Sequence, residues 1–190
     1  MKLKLLSGRL KVNLLLIPVA VIMAVLQGAT AVLAFFGALA LHEGAHAIMA
    51  AALGVRVEAL VLQPFGCTAR MESFVAVSPG KEAAMAAAGP AANMAAAAGC
   101  WAFAGAVASG PFLEAFLSAN LALAAINLLP ALPLDGGRIL AALLCCAMRA
   151  DRATRLCGGL GIFFSAVMLL LGAAAVLMGQ INPTVFLMGG

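Results

Sequence analysis

Long apolar runs, broken at a few short polar points, organise this chain. Apolar residues dominate from about Val12 to Leu26, Ala31 to Leu53, Lys81 to Ala108, Phe112 to Met148 and Leu156 to Met178. Runs of this kind read as membrane helices, which need about 20 predominantly apolar residues. Gln27–Thr30 and Ser109–Pro111 read as turns, and Gly54 as the stop of the second run, because glycine accepts the left-handed conformation that ends a helix. The fourth run breaks at Pro130-Ala131-Leu132-Pro133 and resumes through Asp135-Gly136-Gly137 to about Met148. Proline removes a backbone donor and cannot continue a helix. Arg149, Asp151, Arg152 and Arg155 predict a polar joint before the fifth run, and the tail Ile181 to Gly190 reads as half of a sixth span. Between the second and third runs, Val55 to Val77 mixes Arg56, Glu58, Gln63, Thr68, Arg70 and Glu72 with Val, Leu and Phe around Pro64-Phe65-Gly66. Two short strands about that turn predict a β-hairpin, with a loose loop as the alternative.

Composition agrees with lipid as the solvent. The chain is 65% hydrophobic and 9% charged, whereas a soluble domain carries roughly 25% charged residues. So few charges cannot cover a surface in water. The 190 residues are expected to form one integral membrane unit with its core at 31–149 and no separate soluble domain. The net charge of +4 does not point to nucleic acid, since the basic residues sit at loop edges. They fall near the N-terminus, in the hairpin, at Arg138 and in the 149–155 joint, which predicts a multi-pass protein of the cell membrane with the N-terminus, the hairpin and the joint in the cytoplasm. Lys2, Lys4, Arg9 and Lys11 before the first run, with Ala29-Thr30-Ala31 after it, also suit a signal peptide. An uncleaved first span explains the same residues, because the next apolar run begins at once. The five cysteines, Cys67, Cys100, Cys145, Cys146 and Cys157, show no paired metal spacing and read as small buried residues rather than a disulfide framework.

Candidate chemistry lies inside the second run. The only two histidines are His42 and His46, in Leu41-His42-Glu43-Gly44-Ala45-His46. Positions i and i+4 lie one above the other on a helix face, so both imidazoles can reach one ion. Zinc favours such ligands, and Glu43 beside them can take a proton from a water at the ion. Ionisable groups at membrane depth are usually functional, and Glu43 would otherwise be an uncompensated carboxylate in lipid. A catalytic zinc needs a third protein ligand. Among the remaining acids, only Asp135 sits in a broken helix within an apolar region, and irregular backbone is tolerated there only where it is buried in protein or lines a cavity. Asp135 is therefore the expected third ligand; helix capping is a compatible alternative role. Taking 1.5 Å per residue, His42 lies roughly 18 Å from the cytoplasmic end of its helix. Asn93 and Asn127 read as the other strongly polar side chains deep in the spans. Each either donates to a substrate carbonyl or holds a neighbouring helix. The hairpin offers strand edges to an extended peptide, with Phe65 either contacting that peptide or simply packing. The fold expected from all this is an all-α membrane protein. Five to six transmembrane helices surround a buried metal site, with a small β-hairpin between spans two and three and a broken fourth span.

These residues together resemble the site-2 protease family of intramembrane zinc metalloproteases. The family pairs a His-Glu-x-x-His helix with an Asn-x-x-Pro-x-x-x-Leu-Asp-Gly segment, which here runs from Asn127 through Pro130 to Asp135-Gly136. Its Gly-Pro-x-x-Asn segment is here Gly89-Pro90-Ala91-Ala92-Asn93. The stretch Gln63-Pro64-Phe65-Gly66-Cys67-Thr68, Lys81-Glu82 ahead of the Gly-Pro segment, and the lack of a PDZ-like insert are similar to a sporulation branch of that family. Cys67 departs from it, standing where that branch has a second glycine. The resemblance implies zinc held by His42, His46 and Asp135, catalysis by Glu43, and Asn127 and Pro130 on the substrate side. It also implies release of sigma factor K from a membrane-associated pro-form, under control of inhibitory membrane partners. The nucleotide-sensing C-terminal domain of the better-known relative has no counterpart within these residues. Two other functions compete: cleavage of a different membrane-bound regulator such as an anti-sigma factor, and metal transport, which has no need of Glu43.

Overall fold

The structure, a computed structural model, describes residues 11–12, 21, 24–55, 57–63, 66–71, 77–104 and 110–177. Residues 21 and 24–27 are helical, and the helices with given bounds are α1 (Ala29–Ala52), α2 (Pro79–Ala104), α3 (Pro111–Asn127), α4 (Asp135–Leu144) and α5 (Ala150–Leu177). Three strands accompany them: β1 (Lys11–Val12), β2 (Val57–Gln63) and β3 (Gly66–Met71). β2 and β3 pair antiparallel, with Leu60 opposite Ala69 and Gln63 opposite Gly66. β1 lies parallel on the other side of β2, giving the order β1-β2-β3.

Helix ends fall where local chemistry places them. Gly28 precedes α1 with φ 87°, and Gly54 follows it with φ 73°. Gly54 N–H donates to Ala51 O at 3.1 Å and Val55 N–H to Ala50 O at 2.9 Å, the paired bonds of a glycine C-terminal cap. Lys81 Nζ adds a bond to Leu53 O at 3.0 Å, tying the end of α1 to the start of α2. Pro111 opens α3 behind Gly110, where its missing N–H has no helical partner to lose.

The packing suits lipid. Buried positions are small: Ala34, Ala38, Ala86, Ala97, Ala124, Ala142 and Ala153. Large apolar side chains face outward, with Ile48 73% and Trp101 77% exposed. In water this arrangement would be inverted. In lipid, small residues let helix backbones approach, and the outer face needs no polar cover. α1 lies against α2 and α3, α2 also against α3 and α4, and α4 against α5. The joint between α3 and α4 is pressed onto its neighbours. Leu132 N–H donates to Cys157 O of α5 at 3.2 Å. A Cβ at Gly136 would meet the Leu128 and Leu129 carbonyls, one at Gly137 the Ala131 backbone, and one at Gly161 the Leu132 carbonyl oxygen.

Among the described residues two helices, α1 and the 150–171 part of α5, are long and apolar enough to cross a membrane, against the five to six spans expected of the whole chain. α2 is 26 residues long but rich in alanine, with Lys81 and Glu82 in its first turn. The fourth run divides into helices of 17 and 10 residues. Most of the expected first span lies outside the described residues; within it 21 and 24–26 are helical, and Lys11–Val12 at its start is a strand. The tail 181–190 also lies outside them. The polar joint at 149–155 is shorter than expected, because α5 begins at Ala150 and takes Asp151, Arg152 and Arg155 into its first turns. Charged side chains there mark a change of surroundings, not an end of helix, and an acid in the first turn complements the helix dipole.

The glycine contacts predict a contrast. Gly137→Ala and Gly161→Ala should each destabilise the detergent-solubilised protein by about 1–3 kcal/mol. Gly159→Ala, with nothing within 4 Å of its Cβ position, should be neutral or stabilising by up to about 1 kcal/mol. Thermal or denaturant unfolding of the three variants checks this.

Candidate metal centre

The proline break before α4 is what brings an acid to the two histidines. Asp135 is the first residue of α4, and Leu134, in extended backbone, occupies the cap position with no side-chain cap bond. The carboxylate is therefore not spent on capping its own helix. It points at α1 instead. Asp135 Oδ2 lies 3.1 Å from His42 Nε2 and 3.1 Å from His46 Nε2, and the two Nε2 atoms are 3.1 Å apart. His42 and Asp135 are buried, and His46 nearly so. Residues as much as 93 positions apart in the chain thus form a nearly equilateral triangle of ligand atoms.

Hydrogen bonds on the far side of each ring decide what the triangle can hold. His46 Nδ1–H donates to Met85 O of α2 at 2.7 Å. A carbonyl only accepts, so the His46 proton is on Nδ1. His42 Nδ1–H donates to Asn93 Oδ1. The orientation of the Asn93 amide follows from its other bonds. Its Nδ2 donates to Ala38 O at 3.2 Å and to Asn120 Oδ1 at 2.7 Å, and Asn120 Nδ2 donates to Phe116 O at 2.8 Å. Neutral imidazoles so held each present a bare Nε2 lone pair. In that state two lone pairs and a carboxylate oxygen converge with no donor among them, a set that a proton or a metal ion would draw together. A tetrahedral zinc with ligand bonds of about 2.0–2.1 Å sets neighbouring ligand atoms roughly 3.3 Å apart. The observed triangle fits one face of such a site, and N,N,O is a donor set zinc accepts. His42, His46 and Asp135 are the one group of three or more His, Cys, Asp or Glu among the described residues arranged to hold a metal.

Space is arranged as closely as charge. Gly89 of α2 faces both rings, and a Cβ there would lie 2.7 Å from His42 Nε2 and closer still to His46 Nε2. The other Asp135 oxygen, Oδ1, accepts from Arg138 Nη1 at 3.3 Å, while Arg138 Nε and Nη2 reach Glu82 Oε1 at 3.0 and 2.8 Å.

The remaining expected site residues fall in different places. Glu43 is half-buried on α1, next to His42 in the chain. Asn127 ends α3 and turns its Nδ2 back to Leu123 O at 3.0 Å, and Pro130 is exposed in the following joint. Phe65 lies outside the described residues. Asn93 is corrected: its side chain is 0% exposed and its amide is spent on His42, Ala38 and Asn120, so it orients a ligand and cannot reach a peptide. Asn120, 0% exposed behind it, is not among the residues the sequence analysis names. Its signal is the same as that of Asn93, a carboxamide within an apolar run. In the sequence Arg138 marks only orientation, and Gly89 is only part of a motif.

Comparison with known proteins follows the same lines. The family model of peptidase family M50 matches residues 30–116 and 104–171. A zinc metalloprotease of Methanocaldococcus jannaschii is 30% identical over 149 residues, which is 72% of this chain and 41% of that protein. The chain thus spans about two fifths of the length of that curated relative. The solved site-2 protease from the same organism superposes with a TM-score of 0.76 at 24% identity, covering 97% of this chain and 87% of that one, so the fold is shared. The chain belongs to peptidase family M50.

Two variants test the centre directly. Gly89→Ala should abolish stoichiometric zinc binding, whereas Gly80→Ala, in open space, should leave it intact. Asn120→Leu should weaken zinc roughly 10–100-fold by releasing Asn93 and the ring it orients. Metal content after dialysis and competition with a chelator report both effects.

Proposed function

We propose that this chain, a member of peptidase family M50, is an intramembrane zinc metalloprotease that cleaves a membrane-associated regulatory protein. The observation that carries the reading is the triangle of His42, His46 and Asp135 with Glu43 beside it on α1. His42, His46 and Asp135 hold the zinc, which when bound supplies a Lewis acid for the scissile carbonyl and makes a water easier to deprotonate. Glu43 takes the water proton as general base and returns it to the leaving amine as the C–N bond breaks. The Nδ1–H bonds to Met85 O and Asn93 Oδ1 keep both rings in one tautomer throughout. Asn127 and Pro130, at the mouth of the joint before Asp135, are the residues proposed to meet the peptide, together with Phe65 of the hairpin turn. The protein is read as multi-pass in the cell membrane, with its site toward the cytoplasmic side, from the basic residues at the N-terminus, the hairpin and the start of α5.

The substrate proposed is the pro-form of sporulation sigma factor K. This rests on the resemblance to the stage IV sporulation protein FB carried by the Pro64-Phe65-Gly66 turn, Lys81-Glu82 and the run Pro133-Leu134-Asp135-Gly136-Gly137. Inhibitory membrane-protein partners belong to the same reading. The second reading keeps the chemistry and changes the substrate to another membrane-bound regulator such as an anti-sigma factor. Transport of a metal is the third; it leaves Glu43 without a task.

Co-expression with each candidate substrate, scored by product size, separates these. Wild-type protein should release a shortened sigma factor, and Glu43→Gln should lower the rate about 10²–10⁴-fold while still retaining zinc. Chelation should stop cleavage, and added zinc should restore it. Cleavage of the anti-sigma factor alone would favour the second reading. Metal flux without any proteolysis would sink the first two.

A further inference from the structure

We propose that Arg138 is a positioning residue for Asp135, a fork that turns one carboxylate oxygen toward the imidazoles and keeps the other away from the metal. The proposal rests on the reading of the triangle as a metal site. Asp135 Oδ2 belongs to that triangle, and Oδ1 does not. It is Oδ1 that accepts from Arg138 Nη1, at 3.3 Å, from one turn further along α4. An unrestrained carboxylate can rotate and chelate through both oxygens; one held at Oδ1 offers a single atom.

The rest of the guanidinium explains why the fork holds still. Nε and Nη2 donate to Glu82 Oε1 at 3.0 and 2.8 Å. Glu82 lies in the first turn of α2, the helix that also supplies Met85 O to His46, Asn93 to His42, and the space at Gly89. One helix without a ligand of its own thus sets all three ligands: two directly, and the third through Glu82 and Arg138. The side chains of Arg138 and Glu82 are 28% and 30% exposed, so the Coulombic gain of the pair alone is modest. The function of the pair lies in its geometry. Three N–H contacts to two carboxylates on two helices need a planar fork, which lysine lacks.

The test uses full-length protein in detergent, with zinc affinity from chelator competition and the visible spectrum of the cobalt-substituted protein as readouts. Arg138→Lys should lower zinc affinity roughly 10–100-fold and shift the cobalt spectrum toward five-coordination, as Asp135 closes on the ion through both oxygens. Glu82→Gln should move both readouts in the same direction, less far. It leaves Arg138 in place and carries the test should the Arg138 variant not fold. The exchange Glu82→Arg with Arg138→Glu separates positioning from a simple tie between α2 and α4. It restores an ion pair there but sets a carboxylate beside Asp135. Thermal stability should recover while zinc affinity does not; recovery of both would overturn the proposal. Unchanged affinity and spectrum in Arg138→Lys and Glu82→Gln would also overturn it, leaving the metal site itself intact. Failure of the wild type to bind either metal would instead overturn the reading beneath it.

Discussion

Two imidazole nitrogens and a carboxylate oxygen held within 3.1 Å of one another, with no donor between them while the rings are neutral, are the constraint on which this structure turns. Such a cluster is costly in a low-dielectric interior. It persists because each ligand is fixed from behind: His46 by Met85 O, His42 by Asn93, Asp135 by Arg138. The repulsion becomes attraction when a cation enters. Burial sharpens the effect in both directions, since a low local dielectric leaves the lone pairs and the missing charge unscreened.

Alanine and glycine make that arrangement geometrically attainable. The interfaces between helices are lined by small residues, so backbones come close enough for Asn93 to reach Ala38 O on α1 and Asn120 on α3 at once. Larger side chains are turned outward, where lipid accepts them. The interior is left for a few polar groups, and behind the three ligand atoms Asn93 and Asn120 satisfy one another and the neighbouring backbone. What would be a hydrophobic core in water is here a thin polar relay between close-packed backbones.

Local features were the legible ones. The i, i+4 spacing of His42 and His46 and the prolines ahead of Asp135 each act within a turn or two of chain, so periodicity and breaker residues suffice to find them. The stops at Gly54 and Pro111 are of the same kind. What escaped depends on which side chain faces which across helices. Asn120 and Asn93 look alike in sequence, and their facing each other follows from the crossing of α2 and α3. Gly89 acts through the volume it leaves, which no spacing rule records. Arg138 carries a charge, and charge near a helix end is read first as orientation in the membrane; its bond to a ligand became visible only when α4 met α2. Hydropathy misplaced the start of α5 for a related reason, since it reports solvent rather than hydrogen bonding. Alanine-rich α2 and the divided fourth run are less apolar, or shorter, than α1 and α5, so among the described residues only the latter two stand out as spans by length and composition.

The distance along the chain between His46 and Asp135 has a consequence of its own. An ion joining them would act as a removable cross-link, closing a loop of 89 positions whose closure entropy the unbound chain must otherwise meet through packing alone. Mass action then ties the persistence of the fold to the free concentration of that ion. In a cell starved of it, the same residues that confer reactivity would become the place where the bundle first loosens, so that an unloaded molecule would be more exposed to degradation than a loaded one.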